Sequence, residues 1–202
     1  MRLAETLKEA GLIYESVAYC KAGLDLTTKT NPRIYGELLG LSAEIYSTIG
    51  LVKDSERLAD EAAGLAVGAA KLPTAGGINF SETAAAEYQM HAALRRGDTS
   101  SALGHIERGR SLLKTEFPES NNIRWEAHLW ISQARAHTEA HDIEAVCNDL
   151  RQALRLSQII TSQIAIKKIQ DATLEISSKY REPISALQRL QEELILLTRT
   201  TR

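Results

Sequence analysis

The chain has 202 residues, 44% hydrophobic and 25% charged, with a formal net charge of -2. That length and mixture can bury a sizeable core and exclude wholesale disorder, and the near-neutral balance leaves no surplus of Lys and Arg for a dedicated nucleic-acid face. Cys20 and Cys147 are the only cysteines, too few and too far apart for a disulfide framework or a zinc spacing.

The longest apolar-looking runs, such as residues 62–70, fall well short of the roughly 20 residues a bilayer span needs. The opening residues lack the basic, apolar, small-residue order of a secretion signal. The expectation is a soluble cytoplasmic protein with two buried thiols and no membrane contact.

In chain order, one pattern recurs. The segments 9–26, 48–66, 95–113 and 139–157 align without gaps in their cores, each opening on a turn residue: Gly11, Gly50, Gly97 and His141. Five residues later stand Ser16, Ser55, Ala102 and Val146. Four further on come Cys20, Ala59, Ile106 and Leu150, and three beyond those Gly23, Ala62, Gly109 and Ala153. Steps of four and three keep these side chains on one helical face. A second helical pattern precedes each turn: Leu39, Ala43 and Tyr46; Ala86, Met90 and Ala93; Trp130, Ala134 and His137. The unit is helix, tight turn, helix.

This register decides the meaning of Arg96-Gly97-Asp98. Gly97 is expected to end one helix, where a residue without a β-carbon accepts positive φ cheaply. Asp98 then starts the next, its carboxylate capping free backbone N–H groups, with Asp54 and Asp142 in or near equivalent turns. The tripeptide reads as punctuation, not as an adhesion signal.

Between the repeats, Asn31-Pro32 suits the start of a helix, and 71–81, with its proline and two glycines, is the longest break. A second break is read at 116–122. A fifth hairpin follows at 162–179 and 183–197, with Pro183 opening its second helix and Ile184, Leu187, Leu190, Leu194 and Leu197 forming an apolar stripe. About ten helices and no strands are expected. They form a single domain over 1–202, with hairpins at approximately 1–29, 31–70, 80–115, 121–160 and 162–199, each covering its neighbour's apolar face.

The small residue on the first helix, the turn glycine and the alanine-type positions on the second helix resemble tetratricopeptide repeats, with Trp130 at that pattern's aromatic opening position. Within that class, 97–109 and 141–170 look like the C-terminal repeat regions of bacterial helix-turn-helix transcriptional regulators. The resemblance implies an all-α, right-handed superhelix of about five antiparallel hairpins that senses a signal or assembles a regulator. DNA binding would belong to a separate domain.

No catalytic constellation is recognisable. The glycines at 76–77 lack the Lys-Ser/Thr ending of a phosphate loop, and no nucleophile–base pair stands out. A metal site can be imagined from His137, His141, Asp142 and Cys147, but His141 falls in the turn and His137 at a packing position, so no metal or other cofactor is expected. The polar residues of the first helices carry the functional signal, since in stacked hairpins those helices line the concave side. Glu44, His91 and Arg135 occupy equivalent places, with Glu5 and Glu175 at the two ends. Glu87, Arg95, His128 and Ser132 form a neighbouring row. The expectation is a non-catalytic module whose concave groove takes a protein or peptide, the charged residues setting orientation. A self-associating, dimeric regulator region and an all-helical enzyme are the alternatives, and simple solvation of these faces is the bland one.

Overall fold

A computed structural model of the chain describes residues 2–27, 31–67, 80–117, 119–160, 162–181 and 183–200. Among the described residues there are ten helices and no strand: α1 (Arg2–Glu9), α2 (Ile13–Leu26), α3 (Pro32–Thr48), α4 (Val52–Ala66), α5 (Glu82–Arg95), α6 (Thr99–Glu116), α7 (Glu119–Glu139), α8 (Ile143–Ile159), α9 (Gln163–Ser178) and α10 (Ser185–Thr200). None is long and apolar enough to cross a membrane. The chain gathers into two compact units, Met1–Leu112 and Leu113–Arg202, the boundary falling within α6.

Four turns between helices repeat one backbone geometry. Gly11, Gly50 and Gly97 have φ of 78°, 80° and 79°, and His141 has φ of 58°. At each, the next residue's N–H donates back across the helix end: Leu12 to Leu7, Leu51 to Tyr46, Asp98 to Ala93 and Asp142 to His137, at 2.9 to 3.0 Å. The left-handed residue itself donates three residues back, to Lys8, Ser47, Leu94 and Thr138. These paired bonds satisfy carbonyls that a helix end leaves open. His141 meets the same geometry at a steric cost that glycine avoids.

Helix starts follow from side-chain acceptors. Asn31, Ser81, Asp142 and Ser162 accept from the backbone N–H three residues on, and Pro32 occupies the first turn of α3. Asp98 accepts from Ser101 N at 2.9 Å and from the Ser101 hydroxyl at 2.7 Å. Asp54 does not cap: it lies within the first turn of α4, whose N-cap is Leu51.

Of the three aligned sets on the second helices, two are buried throughout, and in the third Ala62, Gly109 and Ala153 are buried while Gly23 is partly exposed. Ser16, Ser55, Ala102 and Val146 are at most 1% exposed, as are Cys20, Ala59, Ile106 and Leu150. Two of the small residues also tie the hairpin together. Ser16 Oγ donates to Ala4 O at 2.7 Å and Ser55 Oγ to Ala43 O at 2.8 Å, each reaching twelve residues back onto the first helix.

In the N-terminal unit, α3 passes close to the segment that enters and forms α5. Gly36 and Gly40, one turn apart on α3, leave room for the rings of Phe80 and Tyr88. A β-carbon at Gly36 would stand 2.2 Å from Phe80, and one at Gly40 would stand 1.9 Å from Tyr88. Phe80 is fully buried, with Leu39, Ala43, Ala59, Ala62 and Ala85 in the same cluster. In the C-terminal unit, Ala134, Leu150, Ile169, Ile176, Leu187, Leu190 and Leu194 form one core. Each fully buried Leu or Ile there contributes about 1.5–3 kcal/mol.

Two boundaries differ from the sequence reading. The break at 116–122 is short, because α6 runs to Glu116 and α7 already begins at Glu119. Glu119, Ser120 and Asn121 read as loop residues but lie within the first turn of α7. Pro183 stands two residues ahead of α10, which starts at Ser185. The stripe on α10 lies where expected, with Leu187, Leu190 and Leu194 buried and Ile184 and Leu197 packed against them. The long break at 71–81 falls outside the described residues up to 79.

Candidate functional site: polar rows on the first helices

In the N-terminal unit, the polar row centres on Tyr88 of α5. Burial raises the Tyr88 phenol well above its ordinary pKa, and the carboxylates of Glu37, Glu44 and Glu87 push it further. The Tyr88 hydroxyl bonds the Glu37 side chain. Glu44 also meets Lys8 of α1 at 2.8 Å, with both side chains about one-quarter exposed. The fold therefore brings Glu44 and Glu87 together around one phenol and ties Glu44 to the preceding hairpin. His91 is half-buried one turn beyond Glu87, whereas Arg95 is exposed in the last turn of α5. Sequence reasoning missed Glu37 and Tyr88. The signal available was the Gly36–Gly40 pair, since two glycines in a helix interior imply a close neighbour.

In the C-terminal unit, α7 and α9 run side by side with a forty-residue offset. His128 meets Lys168 Nζ at 3.3 Å, Arg135 binds Glu175 at 3.0 Å, and Glu139 binds Lys179 at 2.5 Å. Residues 128, 135 and 139 share one stripe of α7, so the three contacts form a ladder along the α7–α9 seam. Arg135 and Glu175, read from the repeat register as equivalent, are joined to one another.

Ser132 departs from the expected exposed row, being only 1% exposed. It lies on the same stripe of α7, and Ala172, forty residues on, is fully buried as well. Two small side chains let the helices approach at that level while the longer charged pairs lie on either side.

Of the four residues that suggest a metal site, His137 and Asp142 are engaged otherwise. His137 Nδ1 lies 2.7 Å from Asp149, which is 2% exposed and also accepts from Gln133 Nε2 at 3.1 Å. His141 is exposed in its turn. Burial pushes the Cys147 thiol up, away from the thiolate form that ligation needs. Among the described residues, no group of three His, Cys, Asp or Glu is placed to hold a metal ion.

These rows offer paired charges, hydroxyl and imidazole groups over small-residue helix seams. Such a surface can accept hydrogen bonds and ion pairs from a ligand at the cost of exchanging existing ones. No protein-family model matches the chain, and comparison with curated proteins finds no match.

Proposed function

We propose that the chain is a tetratricopeptide-like interaction module that binds a protein or peptide through its first-helix rows and performs no catalysis. The observation that carries this reading is the fourfold repeat of one left-handed turn, with its buried face on the second helix. A fold held together by the stacking of hairpins leaves the polar rows of the first helices as a surface available to a partner. Glu44, Glu87 and His91 in one unit, and His128 and Arg135 in the other, are partly exposed and charged or titratable.

The test is selection from a peptide-display library on the whole chain. Variants Glu44→Lys and Arg135→Glu are compared with the parent after circular dichroism shows native helicity. The expected result is a peptide set that the parent binds and at least one variant loses. Equal recovery by all three proteins contradicts the reading.

Self-association, as in a regulator's assembly region, is favoured by a different observation. Tyr14, Tyr19 and Leu26 of α2 are 78%, 52% and 85% exposed, an unusual density of large apolar groups on one short helix. Light scattering across a concentration series separates the two readings, because only self-association makes the mass rise and makes Tyr14→Ser reverse that rise.

A further inference from the structure

A polar cleft of about 300 Å³ opens among α4, α5 and α6, lined by Glu56 and Asp60, by Gln89 and Arg96, and by His105 over a floor of alanines. Its wiring is uneven. Arg96 is spent twice, on Glu56 and, at 2.9 Å, on Asp98. Gln89 Nε2 donates to Asp60 Oδ1 at 2.9 Å. That bond fixes the amide's orientation, because a flipped amide would set oxygen against oxygen. The Gln89 oxygen is then left buried without a hydrogen-bond partner among the described residues. A buried acceptor left open carries a desolvation penalty that a donor arriving from outside relieves.

We propose that this cleft is a second binding site, which takes the guanidinium of an arginine side chain from a partner polypeptide. The open group is an acceptor, and the Asp60 carboxylate stands beside it, so the fitting ligand is a cationic donor. A planar guanidinium can bridge two acceptors on neighbouring residues, where an ammonium places one point charge. The methyls of Ala59, Ala92 and Ala93 suit the aliphatic stem. An anion is disfavoured, since Arg96 already answers two carboxylates. Burial and the neighbouring Arg108 lower the His105 pKa against the opposing pull of Asp60 and Asp98, which favours the uncharged ring beside an incoming cation.

The site is separate from the first-helix rows. At 100° per residue, Gln89, Ala92, Ala93 and Arg96 lie roughly 150° round α5 from Glu87, His91 and Arg95. A failure here therefore leaves the proposed peptide surface standing, and the converse holds too.

The experiment titrates the isotopically labelled full chain with a capped Ala-Arg-Ala tripeptide, followed by NMR. The expected result is saturable shifts at the Gln89 side-chain amide and at the Ala92 and Ala93 backbone amides. Asp60→Asn and Gln89→Leu should each weaken binding about tenfold, the loss of one charge-assisted or buried bond. A capped Ala-Lys-Ala tripeptide should bind several-fold more weakly, and Ala-Glu-Ala should not bind. Shifts that fail to saturate, or that persist unchanged in both variants, overturn the proposal. Stronger binding of free arginine than of the tripeptide also overturns it, by assigning the cleft to the amino acid.

Discussion

Replacing Gly40 with alanine isolates the contact that holds α3 against α5. In an open helix interior, Gly→Ala is stabilising by about 0.5–1 kcal/mol through reduced backbone freedom. At Gly40 the new β-carbon would stand 1.9 Å from Tyr88 Cε2 and 2.1 Å from Cδ2. The ring cannot swing aside cheaply, because its hydroxyl is held by Glu37. Overpacking of this kind costs about 1–3 kcal/mol, so subtracting the propensity gain leaves a net loss of up to about 2.5 kcal/mol. For a chain of this size that lowers Tm by up to roughly 10 °C. Gly64 on α4 provides the control, since an added β-carbon there meets nothing within 4 Å. Urea denaturation followed at 222 nm should move the midpoint down for Gly40→Ala and up for Gly64→Ala. If both substitutions stabilise alike, the close passage of α3 past Tyr88 is refuted.

Three further outcomes follow from the geometry. Gly97→Val should cost about 1–2 kcal/mol in the same assay, and as backbone strain alone, because φ is 79° while the space around the new side chain is open; an unchanged midpoint contradicts it. Arg135→Glu faces Glu175 across the α7–α9 seam and should destabilise by about 0.5 kcal/mol, with the swapped pair Arg135→Glu/Glu175→Arg recovering most of the loss. Asp98, whose pKa is lowered from 3.8 to about 2 by bonds from Ser101 and Arg96, stabilises the fold above its unfolded pKa and loses that contribution as pH falls through the window from 3.8 to about 2. The stability difference between the parent and Asp98→Asn should accordingly shrink across that window, which acid titrations of the two proteins in parallel would measure.

Much of the fold was legible because a few positions obey strict local rules. Only a residue tolerant of positive φ ends these helices, so Gly11, Gly50 and Gly97 fixed a register from which the buried faces followed by counting. His141 was found by alignment, since histidine signals a positive φ far less strongly than glycine does. Between α9 and α10 the sequence has no glycine, and there the apolar stripe from Ile184 to Leu197 marked the hairpin instead. What depends on one hairpin lying against another stayed hidden. A polar residue on a helical stripe reads as exposed, which is why Ser132 was assigned to an open row; its burial depends on the approach of α9. Asp149 shows a related limit within a single hairpin, being a charge whose enclosure requires His137 and Gln133 from the facing helix. The cleft among α4, α5 and α6 gathers residues from 56 to 105, and no spacing rule connects them.

The central claim is that the first-helix rows are the surface a partner touches. It is tested most directly by mapping a selected peptide onto the labelled chain through amide and side-chain shifts. The account predicts that the changes gather at Glu44, Glu87 and His91, or at His128 and Arg135, and that Glu44→Lys or Arg135→Glu abolishes them. Changes confined to α2, α4 and α6, with those five residues unmoved, would contradict it.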